Sequence, residues 1–145
     1  INLVRLIDKK NNEIKEVENN QAIGVEINYD IKKSKLIMPS VNVYNNFGEV
    51  LFSSLDRILN KSEAMKIGKH KCIIWFPNYF FSEGIFNVGI TLFAPSPNTS
   101  ERLIDTGQIL RFKIIDRDLN KLTGFISEDR PTSLRPQFKW TYDKT

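Results

Sequence analysis

Apolar and polar residues alternate along most of this chain, and the alternation is cleanest between Cys72 and Phe93. A first run, Lys71-Cys72-Ile73-Ile74-Trp75-Phe76-Pro77, is followed by a second from Ile85 to Phe93. In the second, Phe86, Val88, Ile90 and Leu92 fall on one face and Asn87, Gly89 and Thr91 on the other. A period of two marks a strand with one buried face. β-branched and aromatic residues fill both runs, as strands prefer. Asn78 and Gly84 in the connection are turn formers. The two strands are expected in different sheets, so that residues 78–84 cross between layers.

The same pattern predicts the remaining elements. Residues 3–8 form a first strand, 9–12 a polar turn, and 13–17 a short return strand. Residues 22–32 alternate at length, with Ile23, Val25, Ile27, Tyr29 and Ile31 opposite Gly24, Glu26, Asn28 and Asp30. After Pro39, Val41 and Val43 point inward while Asn42 and Tyr44 point outward. Asn45-Asn46-Phe47-Gly48 tolerates the positive φ of a hairpin turn, and residues 50–53 return from it. Between 54 and 69, Leu55, Ile58 and Leu59 allow at most a turn or two of helix. Residues 94–100 read as an exposed loop. The last strand runs over 108–116, with Leu110, Phe112 and Ile114 against Arg111 and Lys113. Short strands with almost no helix predict an all-β, antiparallel two-sheet sandwich of immunoglobulin-like or jelly-roll type. The connections are too short for the crossover helices of a parallel sheet.

From Arg117 the chain becomes polar. It holds Pro131 and Pro136 and carries Phe138 and Trp140 near its end. The expected division is a sandwich core over 1–116 and an extension over 117–145 of the same single domain. A chain of 145 residues is one domain on length, able to bury a core without disulfides. The net charge of +4 comes from Lys and Arg scattered among acids, so nucleic acid is not an expected partner. No apolar run approaches the ~18 residues of a membrane span. The opening Ile1-Asn2-Leu3-Val4-Arg5-Leu6 is strand-like, is not a signal peptide and lacks Met, which predicts a piece of a longer protein with the missing part upstream.

Little in the sequence points to catalysis. There is no Gly-rich phosphate loop ending in Lys-Ser or Lys-Thr. One His and one Cys cannot build a zinc site without several carboxylates, and no metal and no cofactor are expected. His70 and Cys72 share a strand face, but a buried thiol is inert. Leu103-Ile104-Asp105-Thr106-Gly107 matches an aspartic-protease signature, whose chemistry needs two such aspartates sharing a proton. A single copy would need a symmetric dimer, and Asp and Gly also favour an ordinary turn before the strand at Gln108. Glu26, Asp30, Glu49, Glu83 and Asp105 show no spacing that singles out a glycosidase pair, and each is expected as a charged residue on a solvent face.

A polar sheet face remains. If strands 40–45, 50–53, 86–93 and 108–115 share a sheet, they turn Asn42, Tyr44, Asn87, Thr91, Arg111 and Lys113 outward. Amides, hydroxyls and a guanidinium beside an aromatic ring suit a sugar: the planar groups pair with hydroxyls and the ring packs on C–H faces. An ordinary solvated face would show the same residue types. On the other sheet, Ile73 and Trp75 would point outward as a partner surface. The alternative is that Trp75 faces the core, with the register shifted by one.

Four stretches, in order, resemble the C-terminal domain of Wzt-type proteins, the ATPase subunits of ABC transporters that export O-antigen polysaccharides. They are Val4-Arg5-Leu6-Ile7-Asp8 with the long strand Ile23–Ile31; the hairpin Val41-Asn42-Val43-Tyr44-Asn45-Asn46-Phe47-Gly48-Glu49-Val50-Leu51-Phe52; the pair from Cys72 to Leu92; and Phe112-Lys113-Ile114-Ile115-Asp116 with the closing Arg135-Pro136-Gln137-Phe138-Lys139-Trp140. The resemblance implies a non-catalytic β-sandwich that binds the non-reducing end of a finished glycan. It also implies a homodimer that exchanges its C-terminal strand, which would bring Phe138 and Trp140 near Ile73 and Trp75. The setting it implies is cytoplasmic, at the inner membrane through the parent transporter, whose nucleotide-binding domain is absent here. The sugar-contact set Asn42, Tyr44, Asn87, Thr91 and Arg111 rests on strand alternation. A ligand-free dimerisation or adaptor sandwich, a β-sandwich glycosidase and a dimeric aspartic protease stay open as alternatives.

Overall fold

The computed structural model describes residues 1–56, 60–116, 134 and 139–142. Alternation has become two facing sheets. The smaller contains β1 (Leu3–Ile7), β3 (Ile23–Ile31) and β6 (Gly68–Phe76), in the order β1-β3-β6. The larger contains β2 (Glu16–Glu18), β4 (Met38–Tyr44), β5 (Val50–Leu55), β7 (Gly84–Pro95) and β8 (Ser100–Ile115), in the order β2-β8-β7-β4-β5. Among the described residues one short helix, α1 (Lys61–Ala64), lies between β5 and β6, inside the 54–69 range expected to hold a turn or two; Leu55 ends β5 instead, and Ile58 and Leu59 lie outside the described residues. No helix among the described residues is long and apolar enough to cross a membrane.

The inward positions are those the alternation predicted. Val25, Ile27, Tyr29 and Ile31 of β3 face Val41 and Val43 of β4, Phe86, Val88, Ile90 and Leu92 of β7, and Phe112 and Ile114 of β8. Each such side chain contributes about 1.5–3 kcal/mol on burial, which is why the two-residue period dictates the fold. Connection 77–83 does cross between the sheets, since β6 and β7 lie in different layers. It carries Phe81 into the core, within 5.3 Å of the Phe76 and Phe112 ring centroids and 4.8 Å of Phe86. Phe81 also bridges Leu134, which packs against the same core.

Three expectations need correction. Residues 13–17 return antiparallel beside β1 only at their start, where Glu13 bridges Ile7. Only Glu16–Glu18 forms a strand, and it pairs parallel with β8 in the other sheet. The switch begins where Ile14 N–H donates to Leu6 while the Lys15 carbonyl accepts from Lys113, so the segment crosses from one layer to the other. β8 begins at Ser100, eight residues before the predicted start, and pairs with β7 up to Pro95. The loop shrinks to a turn in which Ser96 N–H donates to the Thr99 carbonyl. The Asp-Thr-Gly motif is therefore an irregularity inside a long strand and not a turn before a short one. Finally, Glu26 is 3% exposed and is not an ordinary solvated carboxylate.

Candidate functional site

The larger sheet brings the predicted outward residues onto one face, because β8, β7, β4 and β5 are consecutive neighbours. Tyr44 pairs with Asn87, and Asn87 with Arg111, so these three form one row across three strands. Asn42 and Thr91 lie farther along. Ser53 Oγ donates to Asn42 Oδ1 at 2.7 Å, and Asn42 Nδ2 donates to Thr91 Oγ1 at 2.9 Å. That rung ties β5, β4 and β7 together and uses the single hydroxyl of Thr91, which is 3% exposed. Asn87 is also buried, and its Oδ1 accepts from Arg111 Nε at 3.3 Å. Tyr44 is half-buried and Arg111 exposed. The five residues thus divide into an internal rung and a row that presents an aromatic ring and a cation.

The protease-like motif shapes this row. Gly107 adopts φ 63°, a conformation glycine tolerates and most residues do not. The Asp105 carboxylate accepts from Gly107 N–H at 3.0 Å and lies 3.3 Å from the Arg102 guanidinium. Thr106 Oγ accepts the N–H of Ile90 at 2.8 Å, a bond the displaced β8 backbone does not make. The bulge folds back over Gly89. A β-carbon there would lie 2.3 Å from the Gly107 carbonyl oxygen and 3.3 Å from Cε2 of Tyr44. Bulges of this kind re-aim side chains beside functional sites.

Here the bulge aims Gln108, a residue sequence reasoning passed over. Gln108 starts opposite Gly89, and its amide nitrogen lies 3.4 Å from where a β-carbon on Gly48 would stand. The side chain therefore reaches the β4–β5 turn past the Tyr44 row. At that turn Asn45 Oδ1 accepts from both Phe47 N–H and Glu49 N–H, at 2.9 and 3.0 Å, and Phe47 is 87% exposed. Glycines at two outward positions of adjacent strands, Gly89 and Gly107, were the signal that could have found the close approach.

The smaller sheet presents another kind of face. Trp75 points outward, which removes the shifted-register alternative. Its ring lies over Gly24, where a β-carbon would meet it at 2.8 Å, and Lys9 Nζ sits 4.0 Å from the ring centroid. Beside it, Glu26 accepts from Arg5 Nε at 2.9 Å and Asn28 Nδ2 at 3.0 Å, with Lys71 Nζ at 3.7 Å. The Asn28 amide and then the Arg5 guanidinium hold its carboxyl below the ordinary value, against the opposing effect of burial. Ile73 is exposed on the same face.

Among the described residues β6 is an outer strand of its sheet and β5 of the other, and these two edges lie on one side of the sandwich. Between them lies a cavity of about 350 Å³, lined by Tyr29, Val41, Leu55, Cys72, Ile74 and Trp75 among others. Cys72 is partly exposed to it; burial, then the Asp56 charge, push its thiol up to about 11, which leaves it un-ionised. His70 stacks on Tyr29 at 5.3 Å, and a ring nitrogen lies 2.7 Å from the Lys66 carbonyl oxygen. Trp140 is 76% exposed, and Phe138 lies outside the described residues. The glycosidase candidates are spread over both sheets: Glu26 and Asp30 on β3, Glu49 after the β4–β5 turn, Glu83 before β7 and Asp105 in the β8 bulge. Among the described residues no three His, Cys, Asp or Glu side chains converge as metal ligands would.

These features define a two-sheet β-sandwich with one polar, aromatic-bearing face and one open side. Among solved structures the chain matches the C-terminal domain of Wzt, with a TM-score of 0.63, covering 78% of this chain and 71% of that one at 11% identity. The likeness establishes a shared fold, the one the sequence resemblance implied. No family model matches the chain, and no curated protein does.

Proposed function

We propose that this chain is a non-catalytic carbohydrate-binding domain whose larger sheet takes the non-reducing end of a polysaccharide. The observation that carries the proposal is the row of Tyr44, Asn87 and Arg111, with Gln108 brought alongside by the β8 bulge. A phenol ring, two amides and a guanidinium on neighbouring strands provide C–H packing and planar hydrogen bonding together. Asn42 and Thr91 hold the strands under that row more than they offer free groups to a ligand. The shared fold supports an O-antigen glycan as cargo and an ABC transporter as the parent assembly; in that assembly the domain would work on the cytoplasmic side of the inner membrane. Calorimetric titration with an O-polysaccharide of intact terminus should give heat and release no reducing ends. No heat would sink the idea. Replacing Tyr44 or Arg111 by Ala should weaken binding about tenfold or more, as loss of a central anchor does.

The open side favours a second role, homodimerisation. A β6 edge with no neighbouring strand among the described residues, exposed Ile73, outward Trp75 and the exposed Trp140 suit a C-terminal strand added from a partner copy. Phe138 would enter with it. Removing residues 132–145 should convert dimers to monomers in sedimentation. Dimers that survive the removal would refute exchange as their basis.

A further inference from the structure

We infer that the sugar bound on the larger sheet carries an oxyanion, carboxylate or phosphate, and that a notch beside β8 receives it. The inference rests on the carbohydrate proposal and names the ligand class. The notch encloses about 390 Å³. That falls within the range of small-molecule sites, roughly 300–1,000 Å³. It opens where residues 13–15 cross between the sheets and leave the edge of β8. Ile85 and Ile109 supply apolar walls, and Lys15, Arg111 and Lys113 supply three positive charges against the carboxylate of Glu13 in the lining and that of Glu16 opposite Lys113 on β2.

The three cations are fixed near one another by backbone. Arg111 and Lys113 are alternate residues of one strand, about 7 Å apart on the same face. Lys15 is tied to Lys113 by the 2.9 Å bond from Lys113 N–H to its carbonyl. Among the described residues, the ion pairs are made by other basic side chains: Arg5 and Lys71 with Glu26, Lys35 with Glu101, Lys66 with Glu63, and Arg102 with Asp105. Arg111 spends only Nε, on Asn87 Oδ1, and so keeps its two terminal nitrogens for a forked, bidentate contact. The cations outnumber the carboxylates around the notch, so an entering anion is attracted, and the apolar walls strengthen that attraction. Because Arg111 belongs both to the notch and to the Tyr44 row, one sugar can place its ring on the row and its acid in the notch.

The test is titration of the full chain, followed by amide chemical shifts, with methyl glucoside, glucuronate and glucose 6-phosphate. Either acidic sugar should bind about tenfold tighter than the neutral one, within what a close charge pair supplies. The preference should shrink as salt rises. Shifts should centre on Lys15, Arg111 and Lys113. The tighter of the two acids identifies carboxylate or phosphate as the group read. Lys113→Gln and Lys15→Gln together should narrow the preference. Equal affinity for all three probes, no binding of either acid, or a preference that survives the double variant would overturn the inference. Binding of the neutral glucoside without acid preference would leave the carbohydrate proposal standing and remove this one.

Discussion

The two outer faces carry similar residue types and use them differently. On the smaller sheet, polar groups satisfy one another: Glu26 is enclosed by Arg5, Asn28 and Lys71, and Trp75 lies between Gly24 and Lys9. On the larger sheet, one rung is closed in the same way, from Ser53 through Asn42 to Thr91. The adjoining row is left open, with Arg111 and Lys113 outside the ion pairs among the described residues and Tyr44 half-exposed. An outward polar residue therefore says little about function until its partners are known. On the proposed reading this row takes a ligand because the terminal nitrogens of Arg111 make no side-chain hydrogen bond among the described residues, its Nε alone being engaged, on Asn87.

The largest contrast should come from two glycines. Gly89→Ala sets a β-carbon 2.3 Å from a backbone oxygen, and backbone cannot swing aside. It should cost about 3 kcal/mol, at the upper end of overpacking, and open the bulge that holds Gln108. Gly24→Ala meets only the Trp75 ring, which can rotate away from Lys9, and should cost about 1 kcal/mol. Denaturant unfolding of both variants checks the order. Equal costs would mean that the β8 bulge is no more rigid than a side chain.

Next is Glu26→Gln, which should cost roughly 2–3 kcal/mol, less than the loss of a fully buried pair because Arg5 is partly in solvent. The sign with pH follows from the lowered carboxyl. The unfolded chain takes up a proton near 4.5, the folded chain only at lower pH, so the ion pair's contribution is complete above 4.5 and lost as pH falls through the folded value. Wild type and Glu26→Gln should converge in stability on acidification. A constant gap down to strongly acidic pH would contradict the ion-pair account.

Thr91→Val is the smallest of these changes. It keeps the shape and removes the acceptor for Asn42 Nδ2, at about 1 kcal/mol. Sugar affinity should change little, because Thr91 braces the face from within. A loss of affinity as large as that of Tyr44→Ala, at unchanged stability, would move Thr91 into the contact set.

The sequence made the layers legible because burial enforces a period of two, and a shift by one residue would have turned every Val and Ile of β3 or β7 outward. It placed Trp75 and Arg111 on their proper faces for the same reason. It misassigned 13–17 because three residues of strand carry too little pattern to choose a partner sheet. It split β8 at Gly107 because a bulge shifts the alternation, so that Ile104 and Ile109 are both exposed on one strand. The reach of Gln108 toward the β4–β5 turn was not legible in hydropathy, because it depends on a bulge whose trace in the sequence is the glycine pair Gly89 and Gly107. The burial of Glu26 escaped because ion pairing across strands needs the register, which β1 supplies at Arg5 and β6 near Lys71.

The contrast between the faces can be tested residue by residue. Amide chemical shifts on adding an O-polysaccharide fragment with its terminus intact should move at Tyr44, Asn87, Gln108 and Arg111 and stay still at Arg5, Glu26 and Trp75. Shifts confined to the smaller sheet would contradict the account and make the larger sheet's open row an ordinary solvated surface.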